Sequence, residues 1–144
     1  MMPPRIDLHV PGTRAGFEQA FASLQAMLED LRIDARCRFQ LEFVFEEIVI
    51  NVVMHAAPRR PGVAVDVAVA FGVGDAQISF EDDGPAFDPC AEPEPAPAAS
   101  LDEARIGGLG LVAVRRMARA MHYERTARDT NRLVVTLDRA PTGP

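Results

Sequence analysis

The segment from Phe45 to Ala56 reads FEEIVINVVMHA and sets two polar side chains into an otherwise apolar helical run. Because an α-helix has about 3.6 residues per turn, Glu47 and Asn51 share one face with His55. Burying a carboxylate and an amide costs several kcal/mol unless both groups are paired or hydrated. Taken alone, however, the pattern is more typical of a solvated stripe on an amphipathic helix than of a functional site.

A second motif, EDDGPAFDP, covers residues 81–89 and directly follows a predicted strand. A carboxylate at a strand end, with a glycine close behind it, can accept a hydrogen bond from a planar amine while the backbone approaches closely. Asp82 and Gly84 stand in those positions. An ordinary acidic turn is the competing interpretation, because Asp-Gly and Pro are common turn residues.

A third motif, GGLGLVAVRRM, covers residues 107–117 and begins the last predicted helix. Glycines at a helix start expose backbone N–H groups, and the helix dipole adds partial positive charge, so phosphate is a natural ligand. The motif follows a proline-rich segment, residues 90–100, that predicts neither a strand nor a stable helix and is typical of a lid. A flexible connector is the competing interpretation, and the glycine density disfavours it.

The rest of the sequence predicts about three helices and five strands. Ile6, Leu8 and Val10 alternate before a Pro-Gly pair, which indicates an edge strand, and Thr13 can cap the helix that follows. The predicted elements are a strand over 4–10, helices after residue 13, over 34–55 and over 109–121, and strands over 62–72, 76–80, 122–128 and 133–137. This pattern favours an α+β two-layer sandwich, with the helices on one face of a mostly antiparallel mixed sheet.

Composition excludes several classes of function. The 144 residues predict a single domain over 1–144, and the net charge of −6 disfavours general nucleic-acid binding. All 15 basic residues are arginine, which excludes a Walker-A lysine and a Schiff-base lysine. Cys37 and Cys90 have no metal or redox spacing, so we expect free thiols. Without a membrane-span or signal-peptide pattern, a soluble cytoplasmic protein is expected.

In their order and intervals the three motifs resemble the histidine-kinase-like (GHKL, Bergerat-fold) ATP-binding domains. The resemblance runs from about Phe17 to Leu137, and the short form of the domain resembles the bacterial anti-sigma-factor serine/threonine kinases. FEEIVINVVMHA resembles the asparagine box of that family, EDDGPAFDP its first glycine box and GGLGLVAVRRM its second. The combination is far more specific than any one motif, and it implies the Bergerat fold with ATP and Mg²⁺ as cofactors.

The resemblance also implies a role for each matching residue. Asn51 would hold Mg²⁺, Asp82 would accept a hydrogen bond from the adenine amine, and Gly84 would allow close approach to the base. Glu47 would be the general base for an acceptor hydroxyl; Glu46, about 100° round the helix, is its rival. The other residues implied to bind the nucleotide are Phe87, Arg105, Gly107, Gly108, Leu109, Gly110 and Leu111, with residues 88–106 as the ATP lid.

The function implied is a kinase that phosphorylates an anti-sigma-factor antagonist of the STAS type and controls a sigma factor by partner switching. The alternative is a nucleotide-gated binding protein without significant kinase activity. A proline-rich lid and a basic last helix, carrying Arg115, Arg116 and Arg119, favour that alternative. We expect no nucleic-acid or membrane partner, and the sequence leaves a homodimer open. A histidine-kinase catalytic domain is disfavoured, because no helical hairpin with a phosphoacceptor histidine precedes the first strand.

Overall fold

The computed structural model of the protein describes residues 3–91 and 109–139. In chain order the elements are β1 (Arg5–Pro11), α1 (Arg14–Asp30), α2 (Ala35–Asn51), a π-helical turn (Val52–Ala56), β2 (Ala64–Phe71), β3 (Asp75–Asp82), α3 (Leu109–Met117), β4 (Ala120–Arg125) and β5 (Asn131–Asp138). The described part of the chain therefore contains the three helices and five strands that the sequence predicts.

The strands form one sheet in the order β1-β2-β3-β5-β4. Each pairing between described neighbours is antiparallel, which confirms the antiparallel character predicted for the sheet. β1 lies at an edge, as its short alternating pattern predicts. The register between β3 and β5 sets Asp82 opposite Asn131, which brings two polar residues together at one end of the sheet.

The helices cover one face of the sheet, and a single apolar core lies between the two layers. Alternate residues of β2 point into this core, because side chains on a strand alternate between the two faces of the sheet. Residues along one face of α2, and the first residue of the π-helical turn after it, are buried: Leu41, Val44, Phe45, Ile48 and Val52. The prediction of an α+β two-layer sandwich is confirmed.

Side-chain caps fix where the first two helices begin. The Thr13 hydroxyl accepts a hydrogen bond from the Gly16 amide at 3.0 Å, which confirms the predicted cap of α1. The Asp34 carboxylate accepts one from the Cys37 amide at 3.1 Å and caps α2. Both caps satisfy an amide that has no partner within its own helix.

The second helix ends earlier than predicted. A regular α-helix was expected to His55, whereas α2 ends at Asn51 and a π-helical turn follows. The Ala57 amide donates to the Val52 carbonyl at 2.9 Å, five residues back, so this turn is wider than an α-turn. The following Pro58 cannot donate a hydrogen bond and so cannot extend the helix. The wider turn changes the direction in which the residues after Asn51 face.

The last helix is also shorter than predicted. It ends at Met117 rather than at residue 121, and β4 begins at Ala120 because the chain there pairs with β5. The last two strands are therefore displaced from their predicted bounds of 122–128 and 133–137.

Arg119 consequently lies outside the last helix, and its assignment to a basic face of that helix is wrong. Its guanidinium donates to Asp75 at 2.9 Å and to Asp138 at 3.0 Å. These contacts tie the start of β3 to the end of β5, so this arginine has partners within the sheet.

Within residues 3–91 and 109–139, no helix combines the length and apolar character that crossing a bilayer requires. Most of the predicted ATP lid, residues 92–106, lies outside the described residues.

Candidate functional site

An open pocket lies between the C-terminal half of α2 with its π-helical turn and the loop that follows β3. Its empty volume, including its solvent-filled mouth, is about 690 Å³. The lining residues are Ile48, Asn51, Val52, His55, Ala56, Arg59, Phe80, Asp82, Pro85, Ala86, Phe87, Pro89, Tyr123, Asn131 and Leu133. Most of them are apolar, so the few polar groups would orient a ligand.

Asp82 places a carboxylate in this pocket at the end of β3. Its Oδ1 accepts hydrogen bonds from the Gly84 amide at 2.9 Å and from Asn131 Nδ2 at 3.0 Å. Among the described residues nothing donates to Oδ2. One carboxylate oxygen is thus fixed by the protein, and the other is available to a donor on a ligand.

Gly84 allows the loop after β3 to approach the π-helical turn. A Cβ atom at this position would lie 3.0 Å from the Ala56 Cβ and 3.0 Å from Asp82 Oδ1. Both contacts are tighter than ordinary van der Waals distances, so a larger residue would push the loop away. The sequence predicts close approach to a ligand here, and the structure shows close approach to Ala56.

Asn131 is a polar pocket residue that sequence reasoning missed. Its side chain is buried in the described structure, and its Nδ2 donates both to Asp82 and, at 2.9 Å, to the Pro85 carbonyl. Its Oδ1 accepts from the Phe87 amide at 3.2 Å and from the Tyr123 hydroxyl at 2.6 Å. This one side chain therefore joins the loop after β3 to two strands of the sheet.

We expect Asn131→Ala to lower the free energy of unfolding by about 2–3 kcal/mol, because it leaves several buried polar groups without partners. Urea denaturation would measure this loss. Arg132→Ala is the matched control, because the Arg132–Glu124 pair is an exposed contact of 3.8 Å that contributes little. Equal losses in the two variants would contradict the role given to Asn131.

The loop is held from a second direction by the hairpin of β4 and β5. Arg125 donates to the Gly84 carbonyl at 2.9 Å and also bonds the Asp129 carboxylate. The Phe87 backbone is fixed on Asn131, while its ring is 42% exposed at the pocket. Phe87 was predicted to contact a ligand, and its ring lies where such a contact is available.

Asn51 and Glu47 lie on consecutive turns of α2. Asn51 lines the pocket, is half-buried, and forms no side-chain hydrogen bond within the described part of the chain. Glu47 is half-buried as well, whereas the rival Glu46 is exposed. The Glu47 carboxylate packs against Gly110 in the first turn of α3, and a Cβ on Gly110 would overlap it. Gly110 thus lets α3 approach the candidate base.

Burial, followed by the nearby charge of Glu46, raises the pKa of Glu47 above its ordinary value of 4.5. Both causes disfavour the ionised form. A carboxylate with a raised pKa is a stronger proton acceptor once it is ionised, which suits a general base.

The raised pKa predicts a pH dependence of stability. The folded protein binds the Glu47 proton more tightly than the unfolded chain, so this stabilising contribution is present at low pH and is lost as pH rises through the folded-state pKa. Glu47→Gln cannot ionise, so we expect its melting temperature relative to wild type to increase as the pH rises from about 4 through the folded-state pKa of Glu47. Thermal melts at a series of pH values test this. Glu46→Gln should show a smaller change, because Glu46 is exposed; a constant difference for Glu47→Gln would contradict the prediction.

The remaining predicted site residues lie near the start of α3. Arg105, Gly107 and Gly108 are outside the described residues, and Leu109 is the first residue of the helix. The Leu111 side chain is buried in the core, so only its backbone is available to a ligand. Among the described residues, no group of three or more His, Cys, Asp and Glu side chains converges in a way that could hold a metal ion.

Comparison with known proteins finds a matching family and a related kinase. The family described as histidine kinase-like ATPase domain (HATPase_c_2) matches residues 10–137. The serine/threonine-protein kinase BtrW of Bordetella bronchiseptica is 36% identical over 112 residues, which are 76% of this chain and 77% of BtrW.

Two solved structures show the same fold at low sequence identity. A chain of the SiaB–SiaC complex of Pseudomonas aeruginosa is 18% identical with a TM-score of 0.59; the match covers 92% of this chain and 89% of that one. The structure of the RsbU and RsbW domains of a Mycobacterium tuberculosis protein is 17% identical with a TM-score of 0.62; the match covers 96% of this chain and 34% of that longer one. The family match spans nearly all of the described structure, and the chain belongs to the histidine kinase-like ATPase domain family.

Proposed function

We propose that this protein is a serine/threonine protein kinase that transfers the γ-phosphoryl group of Mg-ATP to a protein hydroxyl. The observation that carries the proposal is the half-buried Glu47, one helical turn from the pocket residue Asn51, in a chain 36% identical to a protein named as a serine/threonine kinase. A general base beside a nucleotide pocket is the arrangement that such a transfer requires.

The described residues fit a bound adenine nucleotide. The pocket offers apolar walls for a planar base and one carboxylate oxygen, Asp82 Oδ2, that has no donor among the described residues. The Asn51 amide, also without a side-chain partner there, would hold Mg²⁺ through its oxygen. Bound magnesium would neutralise charge on the phosphates.

Glu47 would act on the acceptor rather than on the nucleotide. As the acceptor oxygen forms its bond to the γ-phosphorus, the bond from that phosphorus to the ADP oxygen breaks and Glu47 takes the hydroxyl proton. Such a transfer depends mainly on positioning and charge stabilisation. Glu47 and Asn51 are presented by one rigid helix, which keeps the proton acceptor and the phosphate site at a fixed spacing.

For the acceptor we propose an anti-sigma-factor antagonist of the STAS type, with a sigma factor as the second partner and partner choice set by the bound nucleotide. Support comes from the likeness to BtrW and from the RsbW domain among the structures that share the fold. The sequence predicted a last helix with three arginines, which favoured a nucleotide-gated protein without kinase activity. That argument is weaker in the structure, because Arg119 lies outside the helix and is paired within the sheet.

The test is phosphate transfer from γ-labelled Mg-ATP, with purified protein and a lysate of the source organism. One small labelled protein, absent when the kinase is omitted, would support the proposal and provide the acceptor for identification. Calorimetry would measure ATP binding in the same preparation. Good ATP binding without any labelled protein would contradict kinase activity and favour the nucleotide-gated alternative.

A further inference from the structure

Arg59 lies in the short turn that follows the π-helical turn, and it lines the pocket. Its amide donates to the Ala56 carbonyl at 3.1 Å, which fixes the backbone of this turn. The residue is exposed, so it lies at the mouth of the pocket and not in its floor. None of the motifs in the sequence includes this residue.

The positive charge of Arg59 is not neutralised by an acidic group in the described part of the protein. Its side chain forms no ion pair or hydrogen bond within residues 3–91 and 109–139, whereas the adjacent Arg60 reaches Asp83 at 3.9 Å. Among the described pocket-lining residues Arg59 is also the one arginine. A guanidinium without a partner among the described residues therefore belongs to the pocket, whose one carboxylate among its lining residues is that of Asp82.

The position of Arg59 indicates which part of a nucleotide it would meet. Ala56, to which its backbone is bonded, packs against the loop position of Gly84 beside Asp82. Asn51 is eight residues earlier and ends α2, before the π-helical turn that leads to Arg59. Arg59 therefore shares the Asp82 end of the pocket, where the base would bind, and not the Asn51 end.

We propose that Arg59 is a base-binding residue whose guanidinium covers the outer face of the purine at the pocket mouth. A planar guanidinium stacks on aromatic rings, and a lysine ammonium does so less well. The inference rests on the proposed nucleotide binding and adds a residue that acts on the base rather than on the phosphates.

The experiment compares adenosine, ADP and ATP as ligands of wild type, Arg59→Ala, Arg59→Lys and Arg60→Ala, with Mg²⁺ present. We expect Arg59→Ala to weaken the binding of all three ligands by the same factor, about three- to thirtyfold, because the contact is to the base that they share. Arg59→Lys should recover only part of this loss, and Arg60→Ala should bind like wild type. Thermal melts would confirm that each variant is folded.

The outcomes separate this inference from the function on which it rests. If Arg59→Ala weakens ADP and ATP but not adenosine, the residue contacts phosphate and the inference is overturned. It is also overturned if Arg59→Ala binds all three ligands as tightly as wild type. The same holds if Arg59→Lys binds them as tightly as wild type. If wild type binds none of the three ligands, the proposed function itself fails.

Discussion

Replacing Glu47 with alanine is expected to abolish phosphoryl transfer while ATP binding stays close to wild type. The carboxylate lies against Gly110 beside the pocket and is not among the residues that line it, so its removal takes away a proton acceptor and no ligand contact. General bases contribute about 10²–10⁴-fold to reaction rates. The rate of formation of labelled product should therefore fall by at least about 100-fold. Transfer from γ-labelled ATP and calorimetry of ATP binding measure the two effects separately.

Glu46→Ala is the matched control for this experiment. It makes the same chemical change one residue earlier on α2, at an exposed position, and should leave most of the transfer intact. If Glu46→Ala abolishes transfer and Glu47→Ala does not, the roles of the two carboxylates are reversed. If Glu47→Ala loses ATP binding, the general-base assignment is wrong, because a residue that only accepts the hydroxyl proton is not needed for binding.

Replacing Asp82 with asparagine should weaken ATP binding by about 100-fold or more, while the fold is retained. The asparagine oxygen can take the two hydrogen bonds that Asp82 Oδ1 accepts from Gly84 and Asn131. Its amide nitrogen then stands where Oδ2 was, so a donor meets the adenine amine, which is itself a donor. Calorimetric titration with ATP measures the loss, and a thermal melt checks the fold.

Inosine triphosphate provides a sharper test of the same contact. It carries a carbonyl where adenine has the amine, so wild type should bind it poorly and Asp82→Asn should bind it better than wild type does. Asp83→Asn is the matched control, because Asp83 is the half-exposed neighbour that bonds the Ala64 amide at 3.3 Å. An unchanged preference for ATP over inosine triphosphate in Asp82→Asn would refute the assignment.

Local patterns were enough to predict most of the fold. Thr13 caps α1 because a hydroxyl before a helical stripe satisfies a free amide, and the valines of β2 alternate because one face of the strand is buried. Sequence patterns failed to predict the element where the same residues suit both a helix and a strand. Ala120 and Met121 suit a helix as well as a strand, and pairing with Thr136 and Val135 decides in favour of β4.

Helical spacing predicts a shared face only for candidate site residues that are close in sequence. Glu47 and Asn51 are one turn apart, so helical spacing alone predicts that they share a face. Asn131 belongs to the site because the β3–β5 register brings it opposite Asp82, 49 positions earlier in the chain. Its sequence context, after Asp129 and Thr130, indicates a turn. The π-helical turn that places Arg59 at the pocket was likewise not visible, since the helical pattern continues through it.

Tyr123, which donates a hydrogen bond to Asn131, gives the candidate site a spectroscopic signal of its own. The chain has one tyrosine and no tryptophan, and that tyrosine lines the pocket with its hydroxyl 2.6 Å from the Asn131 Oδ1. Phenylalanine absorbs only weakly in the near-ultraviolet, so the tyrosine bands of the dichroism and emission spectra arise from this one ring. The protein thus carries its own optical label at the site, and those bands report on the pocket without any added dye or engineered residue.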